Sequence, residues 1–250
     1  MPSTARTDTQ TRLPDHSLHF RAGVVAHLHI HVAAAQIAGA RRALRADALH
    51  IERDVSLARL FDFFTFGEDR RLGPHKQRLF SKALGKTLLV AAGTGNDFKF
   101  FPPGMQLIAT DISEQMIERA RRKAALYSGR IDLAVKDVCD LDVPDSTFDT
   151  IVTVFTFCSV PRPIVGLREL HRVLKSSGQL LMMEHVRSAF GPLGVMMGLL
   201  TPLSRRFGSD LNRNTDGNVQ EAGFRLRRVE NAYLDVVKII EAVKSDGAAH

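Results

Sequence analysis

From Lys86 onward, short apolar runs alternate with amphipathic stretches, and this alternation constrains the fold more than any other feature of the sequence. The runs have the length of strands, and the stretches between them have the spacing of helices. Such a chain forms a parallel sheet with helices on both faces, because each parallel connection needs a crossover. The sequence therefore predicts an α/β domain over residues 86–250, built on a doubly wound, mostly parallel sheet.

Seven strands are predicted for this sheet. Five parallel strands are expected at Thr87–Ala92, Gln106–Thr110, Ile131–Val135, Phe148–Phe157 and Gln179–Met183. Residues 224–230 and 235–243 follow without a helix of any length between them, so we expect them to close the sheet as an antiparallel pair.

Two helices are predicted from their capping residues and charge order. The first opens at Ser113 and carries acidic residues early and basic residues late, which suits the helix dipole. Its predicted apolar face consists of Met116, Ile117, Ala120 and Ala124. The second is expected to begin at Pro163 and to end at Ser177-Gly178.

The first 85 residues lack this alternation. Residues 1–20 are polar and are expected to form a flexible arm. Residues 21–85 are expected to form a helical extension and cap, with a basic stretch at residues 41–45 that suits contact with anionic lipid. Two interpretations stay open: this extension packs on its own domain or on a second copy of the chain in a homodimer, or it contacts a membrane surface peripherally.

Composition narrows the partners and the compartment. The net charge of +7 favours anionic partners, yet acids are interleaved with the basic residues and the chain has no Trp, so no nucleic-acid partner is predicted. Cys139 and Cys158 are too few for a disulfide framework, which predicts a reducing, cytoplasmic location. His27, His29 and His31 have no carboxylate or cysteine close by, so no metal site is predicted.

The candidate ligand site lies in the loops that follow the strands, because ligands of such sheets bind beyond the carboxyl ends of the strands. Ala92, Gly93, Thr94 and Gly95 follow the first strand, and the glycines let the backbone approach a ligand closely. Asp111 follows the second strand, where its carboxylate can accept both hydroxyls of a ribose. Ile112 and Met116 lie just beyond Asp111 and are also expected to belong to the binding site. Together, the turn and the acid indicate a nucleoside.

The loop after the first strand also narrows the kind of nucleoside. A nicotinamide dinucleotide needs a third glycine, but Phe98 stands at that position and Asp97 would repel a diphosphate. A cofactor without phosphates fits better, and S-adenosylmethionine has that character. Asp137 and Val138 are expected to meet the adenine, and the far end of the fourth strand, from Val154 to Cys158, is expected to face the reacting centre.

Residues 88–244 resemble the class I S-adenosylmethionine-dependent methyltransferases. Lys136–Asp149 is similar to the adenine loop and fourth strand of that family, and Leu167–Gly178 is similar to the helix and turn before its fifth strand. One branch, which holds mammalian methyltransferase-like thiol S-methyltransferases and bacterial phospholipid N-methyltransferases, is resembled at Asn96–Gly104, Phe157–Val160, Met183–Val186 and Gly208–Thr215. The resemblance implies a Rossmann-like methyltransferase fold, S-adenosyl-L-methionine as cofactor, and methyl transfer.

The chain departs from the family pattern at two positions. The first strand of the family usually carries an acid two residues before its first glycine, and Leu89 stands at that place. The first glycine itself is replaced by Ala91. Losing the acid removes one anchor for the amino-acid end of the cofactor, at a cost of roughly 1–2 kcal/mol if the lost bond was buried.

His185 is the candidate general base, because a thiol acceptor is mostly protonated at neutral pH. Glu184 is expected to orient it or to bind substrate. The alternative for this pair is structural: Glu184 caps a nearby backbone amide and His185 only packs.

Three functional interpretations remain open. The first is in-line methyl transfer to a small thiol or sulfide. The second is N- or C-methylation of a lipid-like acceptor such as phosphatidylethanolamine or a quinone, which an apolar lid at residues 192–207 favours. The third is a cofactor-binding module without catalysis, suggested by Leu89 and Ala91.

Overall fold

The computed structural model describes residues 68–187 and 213–245, with side chains from residue 70 onward. The predicted arm at 1–20, most of the predicted extension and the predicted lid at 192–207 lie outside these residues. The division of the chain near residue 20 and the membrane or dimer contact of the extension therefore stay predictions.

Within the described residues, seven strands form one sheet in the order β3-β2-β1-β4-β5-β7-β6. The strands are β1 Thr87–Val90, β2 Gln106–Asp111, β3 Arg130–Val135, β4 Phe148–Val154, β5 Leu174–His185, β6 Phe224–Tyr233 and β7 Val237–Lys244. The pairs among β1 to β5 are parallel, whereas β7 pairs antiparallel with both β5 and β6. The predicted mostly parallel sheet with antiparallel closing strands is confirmed.

Helices cover both faces of this sheet. They are α1 Glu68–Phe80, α2 Glu114–Ala124, α3 Pro163–Val173 and α4 Thr215–Glu221, with a 3₁₀ helix at Asn96–Phe100. Successive strand residues point to opposite faces, so Leu88 and Val90 join a core with residues of α3 and α4, while Leu89 joins a second core with residues of α1 and α2. The structure thus confirms the doubly wound arrangement.

The first predicted helix begins where its capping residue indicates. The Ser113 side chain accepts a hydrogen bond from the backbone N–H of Met116 at the start of α2. Ile117 and Ala120 are buried on its inner face, and Met116 and Ala124 are half-buried. Local sequence signals are sufficient here because both the cap and the apolar face lie within one helix.

The predicted end of the second helix is wrong. Helix α3 ends at Val173, and Leu174 already pairs with Phe148 as the first residue of β5. The register then shifts, so that Thr150 pairs with Gln179. Long-range pairing and complete burial of Leu174 override the local helical pattern.

Strands β1 and β4 also end earlier than predicted, at Val90 and Val154. In both cases the next residue has a left-handed backbone, with φ of 53° at Ala91 and 50° at Phe155. This conformation turns the chain out of the strand. Both turns lie at the carboxyl ends of central strands, where the ligand was expected.

None of the helices in residues 68–187 and 213–245 is long and apolar enough to cross a membrane. The same residues contain no cluster of three or more histidine, cysteine, aspartate or glutamate side chains that could hold a metal ion.

Candidate functional site

The order of the strands creates a crevice between β1 and β4. The chain leaves β1 towards β2 and β3 on one side, and it returns to β4 and β5 on the other side. The loops that follow β1 and β4 therefore diverge, which opens a ligand site at the carboxyl ends of these strands.

The turn after β1 leaves space for a ligand beside its backbone. Gly93 has φ of 54°, and a Cβ added there would meet no atom within 4 Å. Gly95 has φ of 77°, and a Cβ there would lie 2.5 Å from the Phe98 ring. Gly95 is thus needed for packing within the chain, whereas Gly93 faces open space that a ligand can fill.

The rest of this turn is held by its neighbours. The backbone N–H of the buried Ala92 donates to the carbonyl of Thr110, at 2.9 Å. Lys123 of α2 reaches back to the loop, and its Nζ donates to Thr94 Oγ1 at 3.2 Å and also to Asn96. The turn is therefore fixed from β2 and from α2 before any ligand binds.

Asp111 joins the loop after β1 to the loop after β2. Its Oδ2 accepts the backbone N–H of Gly93 at 2.8 Å, and its Oδ1 accepts the backbone N–H of Ser113 at 2.9 Å. Burial raises the pKa of Asp111, and the backbone N–H groups of Ser113, Gly93 and Ile112 act in the opposite direction. Because each carboxylate oxygen has a second lone pair, this geometry fits acceptance of ribose hydroxyls.

Asp137 and Val138 lie in a loop that is joined to Asp111 through the backbone. The N–H of Lys136 donates to the Asp111 carbonyl at 2.9 Å. Asp137 Oδ1 accepts the N–H of Cys139 at 2.8 Å, and Val138 is 8% exposed and belongs to the core. Their contact with adenine stays a prediction, since the described bond of Asp137 shapes its own loop.

Three other predicted cofactor-binding residues border the same region. Ile112, Met116 and Val154 are half-buried. Ile112 and Met116 follow β2, whereas Val154 is the last residue of β4. Strand order therefore places them on either side of β1.

His185 is the one predicted catalytic residue whose side chain keeps an unused polar atom. Its ring stacks on Phe155, with the centroids 4.3 Å apart. Among the described residues, its buried Nδ1 has no hydrogen-bond partner. Burial lowers the pKa of His185 to about 4, so the imidazole is neutral at physiological pH and Nδ1 can accept a proton or a hydrogen bond.

The contacts of Glu184 match the structural alternative, in which its carboxylate caps nearby backbone amides. It is completely buried, and its carboxylate accepts bonds from Thr153 Oγ1 at 2.7 Å and from the backbone N–H groups of Thr156 at 3.2 Å and Phe157 at 3.0 Å. Burial raises the pKa of Glu184 to about 7. As neighbours in a strand, Glu184 and His185 point to opposite faces of the sheet. The carboxylate of Glu184 thus holds the turn after β4, and its action on His185 or on substrate stays a prediction.

Two charged residues near the site were not recognised as partners from the sequence. Lys76 on α1 is 3% exposed, and its Nζ donates to Asp97 Oδ1 at 2.8 Å. One signal for Lys76 was available, because it shares a helical face with the buried Leu72 and Leu79. A lysine on an apolar helix face needs an internal partner. The partner itself could not be found from spacing, since it lies on another element.

Comparisons with known proteins show which sequences and structures the chain resembles. A family model described as a methyltransferase domain matches residues 88–182. A phosphatidylethanolamine N-methyltransferase of Cereibacter sphaeroides is 31% identical over 150 residues, which cover 58% of this chain and 72% of that protein. The human thiol S-methyltransferase TMT1B is 28% identical over 172 residues, covering 62% of this chain and 70% of that protein.

The fold also has solved counterparts. The structure of an S-adenosylmethionine-dependent methyltransferase from Aquifex aeolicus superimposes with a TM-score of 0.55 at 20% identity, and the match covers 75% of this chain and 98% of that one. At this identity the likeness concerns the fold alone.

Proposed function

The chain belongs to the class I S-adenosylmethionine-dependent methyltransferases, and from that premise we propose that its acceptor is the sulfur of a small thiol. The chain is thus an enzyme, and its cofactor is S-adenosyl-L-methionine. The methyltransferase relatives do not support the interpretation as a binding module without catalysis. Membership of the family does not determine the acceptor.

The described residues fit S-adenosylmethionine, which has no phosphate group and needs no phosphate subsite. The open space beside Gly93 would receive the adenosine, and Asp111 would accept the ribose hydroxyls. Asp137 and Val138 would border the adenine, with Ile112, Met116 and Val154 beside the nucleoside. When bound, the cofactor supplies an electrophilic methyl group on a positively charged sulfur. What remains for the protein is to align the acceptor, to exclude water and to receive a proton.

The thiol proposal depends on one observation, which is that the buried Nδ1 of His185 has no hydrogen-bond partner among the described residues. A thiol with an ordinary pKa near 8.5 is mostly protonated at neutral pH, so its S–H can donate to this neutral nitrogen. As the acceptor sulfur bonds to the methyl carbon, the bond from that carbon to the sulfonium of the cofactor would break and S-adenosylhomocysteine would leave. The S–H is strongly acidic once its sulfur carries the new methyl group. A weakly basic imidazole is therefore sufficient to take the proton during transfer. Phe155, stacked on the ring, holds the imidazole in place.

The charges around this turn favour a neutral or anionic acceptor over a cationic one. Lys76 Nζ lies 5.9 Å from the centroid of the Phe155 ring. Glu184 is surrounded by three donors, and Asp97 is paired with Lys76. In the described part of the chain, the enclosed Glu184 carboxylate is therefore not available to hold the ammonium group of an aminolipid.

A lipid-like acceptor is the second candidate, and identity to a relative favours it. The phosphatidylethanolamine N-methyltransferase is slightly more identical to this chain than the thiol S-methyltransferase is, at 31% against 28%. An amine acceptor must also lose a proton, so His185 would serve both reactions.

A comparison of acceptors in separate incubations tests the proposal. The full chain is incubated with S-adenosylmethionine carrying a labelled methyl group and one acceptor at a time: a panel of small alkyl and aryl thiols, phosphatidylethanolamine vesicles, or vesicles containing a reduced quinone. We expect label in the methyl thioethers, with a rate that falls strongly in His185→Phe. Label in the lipid or quinone alone, with none in any thiol, would overturn the thiol assignment and support the second candidate.

A further inference from the structure

The ion pair between Lys76 and Asp97 is largely shielded from solvent. The attraction between the two charges does not by itself explain why they are removed from water. The two side chains are 4% and 17% exposed, and Nζ and Oδ1 are 2.8 Å apart. Removing both charges from water carries a desolvation penalty that the mutual attraction often fails to repay. A desolvated ion pair beside a ligand crevice is therefore a candidate for binding a charged part of the ligand.

The position of the pair matches one end of the cofactor. Asp97 lies in the 3₁₀ helix that follows the Gly93–Gly95 turn, at the carboxyl end of β1. Lys76 Nζ lies 5.8 Å from the ring centroid of Phe100 in the same helix and 5.9 Å from that of Phe155, just after β4. The pair therefore lies between the loops that follow β1 and β4.

The direction of the cofactor follows from the order of the strands. Asp111 ends β2, and the adenine loop follows β3, so the nucleoside is expected over β3 and β2. The part of the cofactor beyond the ribose then extends away from β2, towards the ends of β1 and β4. Its amino-acid end arrives at Lys76 and Asp97.

We propose that Lys76 and Asp97 form the subsite for the zwitterionic amino-acid end of S-adenosylmethionine. The α-ammonium contacts the Asp97 carboxylate, and the α-carboxylate contacts the Lys76 ammonium, so four alternating charges neutralise one another. The strand acid that related enzymes carry is absent, since Leu89 stands in its place and is 1% exposed in the apolar core. Asp97 supplies that negative charge from the neighbouring loop. This inference rests on the cofactor assignment and is independent of the acceptor.

Calorimetry with two ligands that differ only at this end tests the subsite. S-adenosylhomocysteine carries the amino-acid end, whereas 5′-methylthioadenosine keeps the adenosine and the sulfur but lacks it. With the full chain, we expect Lys76→Met and Asp97→Asn each to weaken S-adenosylhomocysteine binding about 10- to 100-fold. Both variants should bind 5′-methylthioadenosine within about threefold of the unaltered protein.

Lys82→Met is the matched control. It removes a partly exposed ion pair with Glu241 that lies outside the crevice, and it should leave both affinities unchanged. Asp97→Glu keeps the charge and should restore most of the S-adenosylhomocysteine affinity that Asp97→Asn loses. Thermal unfolding of each variant establishes that it is folded, and Asp97→Asn serves if Lys76→Met does not fold.

Equal weakening of both ligands, or no weakening of either, would overturn the subsite. Because no acceptor is present, failure of the thiol proposal would leave this result untouched. A preserved subsite with no methylated thiol would identify the acceptor assignment as the error.

Discussion

Asp111 shows how one residue can both build the site and serve it. Its two oxygens fix the N–H groups of Gly93 and Ser113 while keeping lone pairs for the ligand. We expect Asp111→Ala to weaken S-adenosylhomocysteine binding at least about 100-fold, because it would remove the two charge-assisted bonds that we propose to the ribose. Asp111→Asn keeps one acceptor oxygen and should give an intermediate loss by calorimetry. Near-normal affinity of Asp111→Ala would refute its ribose role.

His185 carries the prediction about catalysis. His185→Phe preserves an aromatic ring to stack on Phe155 but removes Nδ1. We expect kcat for thiol methylation to fall about 100-fold, the scale of a lost general base, with an unchanged cofactor affinity. The loss should be largest below pH 8, where little of the thiol is thiolate.

The pH profile provides an independent check on the same residue. Since the pKa of His185 is about 4, the unaltered enzyme should show no change in slope near pH 6.5. A break at that pH that disappears in His185→Phe would contradict the buried, neutral imidazole.

The energetic cost of alanine at position 91 becomes clear only from its backbone conformation. From the sequence it is a mild departure from the glycine of the family. The structure gives it φ of 53°, a left-handed conformation that costs a residue with a Cβ about 1–2 kcal/mol. Glycine is usual at such a position because it avoids that cost.

At the scale of elements, the sequence was sufficient wherever the signal was local. The strands and the Ser113 cap follow from apolar runs and from capping chemistry. Helix α4 was missed because it has seven residues, includes Gly217 and leaves only the Asn214 cap as a signal. The extra length of β5 could not be predicted, because Leu174 becomes a strand residue only by pairing with Phe148.

The site residues show the same difference between local and long-range signals. The residues after β1 and β2 were predicted correctly as neighbours because the fold rule places strand ends together, and the Gly93–Asp111 bond confirms their proximity. The contacts of Glu184 could not be predicted, because sequence spacing does not reveal the three donors that enclose its carboxylate. Lys76 was missed because its partner lies on a separate element.

The prediction at the scale of elements concerns helix α3, because its residues hold the loop after β3 that is expected to contact the adenine. Arg172 Nη1 donates to the carbonyl of Val143 at 2.8 Å, and Arg172 also binds Glu169, which accepts the N–H of Leu141 at 3.1 Å. We expect Arg172→Met to lower the free energy of unfolding by about 1–2 kcal/mol and to weaken cofactor binding several-fold.

The matched control lies on another helix. Arg121→Met removes an exposed pair with Glu118 and should change neither the stability nor the affinity measurably. Denaturant unfolding and calorimetry on both variants decide the matter. Equal effects of the two substitutions would show that Arg172 does not support the loop.

For the whole molecule, two buried groups give opposite responses to pH. The pKa of His185 is lowered from 6.5 to about 4, so stability is lost as the pH falls from 6.5 towards 4. The pKa of Glu184 is raised from 4.5 to about 7, so stability is lost as the pH rises from 4.5 towards 7. Each contribution is of the order of 3 kcal/mol, and over the shared range they nearly cancel.

Single substitutions should uncover each contribution. As the pH falls from 7.5 to 4.5, His185→Phe should gain about 3 kcal/mol in free energy of unfolding relative to the unaltered chain. Glu184→Gln should lose a similar amount over the same range. Urea unfolding at several pH values measures both differences, and a difference that does not vary with pH would rule out the corresponding shift.

The insertion of β7 between β5 and β6 sets the order in which the sheet can be finished. Strand β5 finds its outer neighbour only after residues 237–244 have left the ribosome, although its inner neighbour β4 is made much earlier. Until then, a central strand of the nascent protein has one unpaired border exposed to other chains. The nascent chain is therefore most exposed to mispairing in the interval between the synthesis of β5 and that of β7.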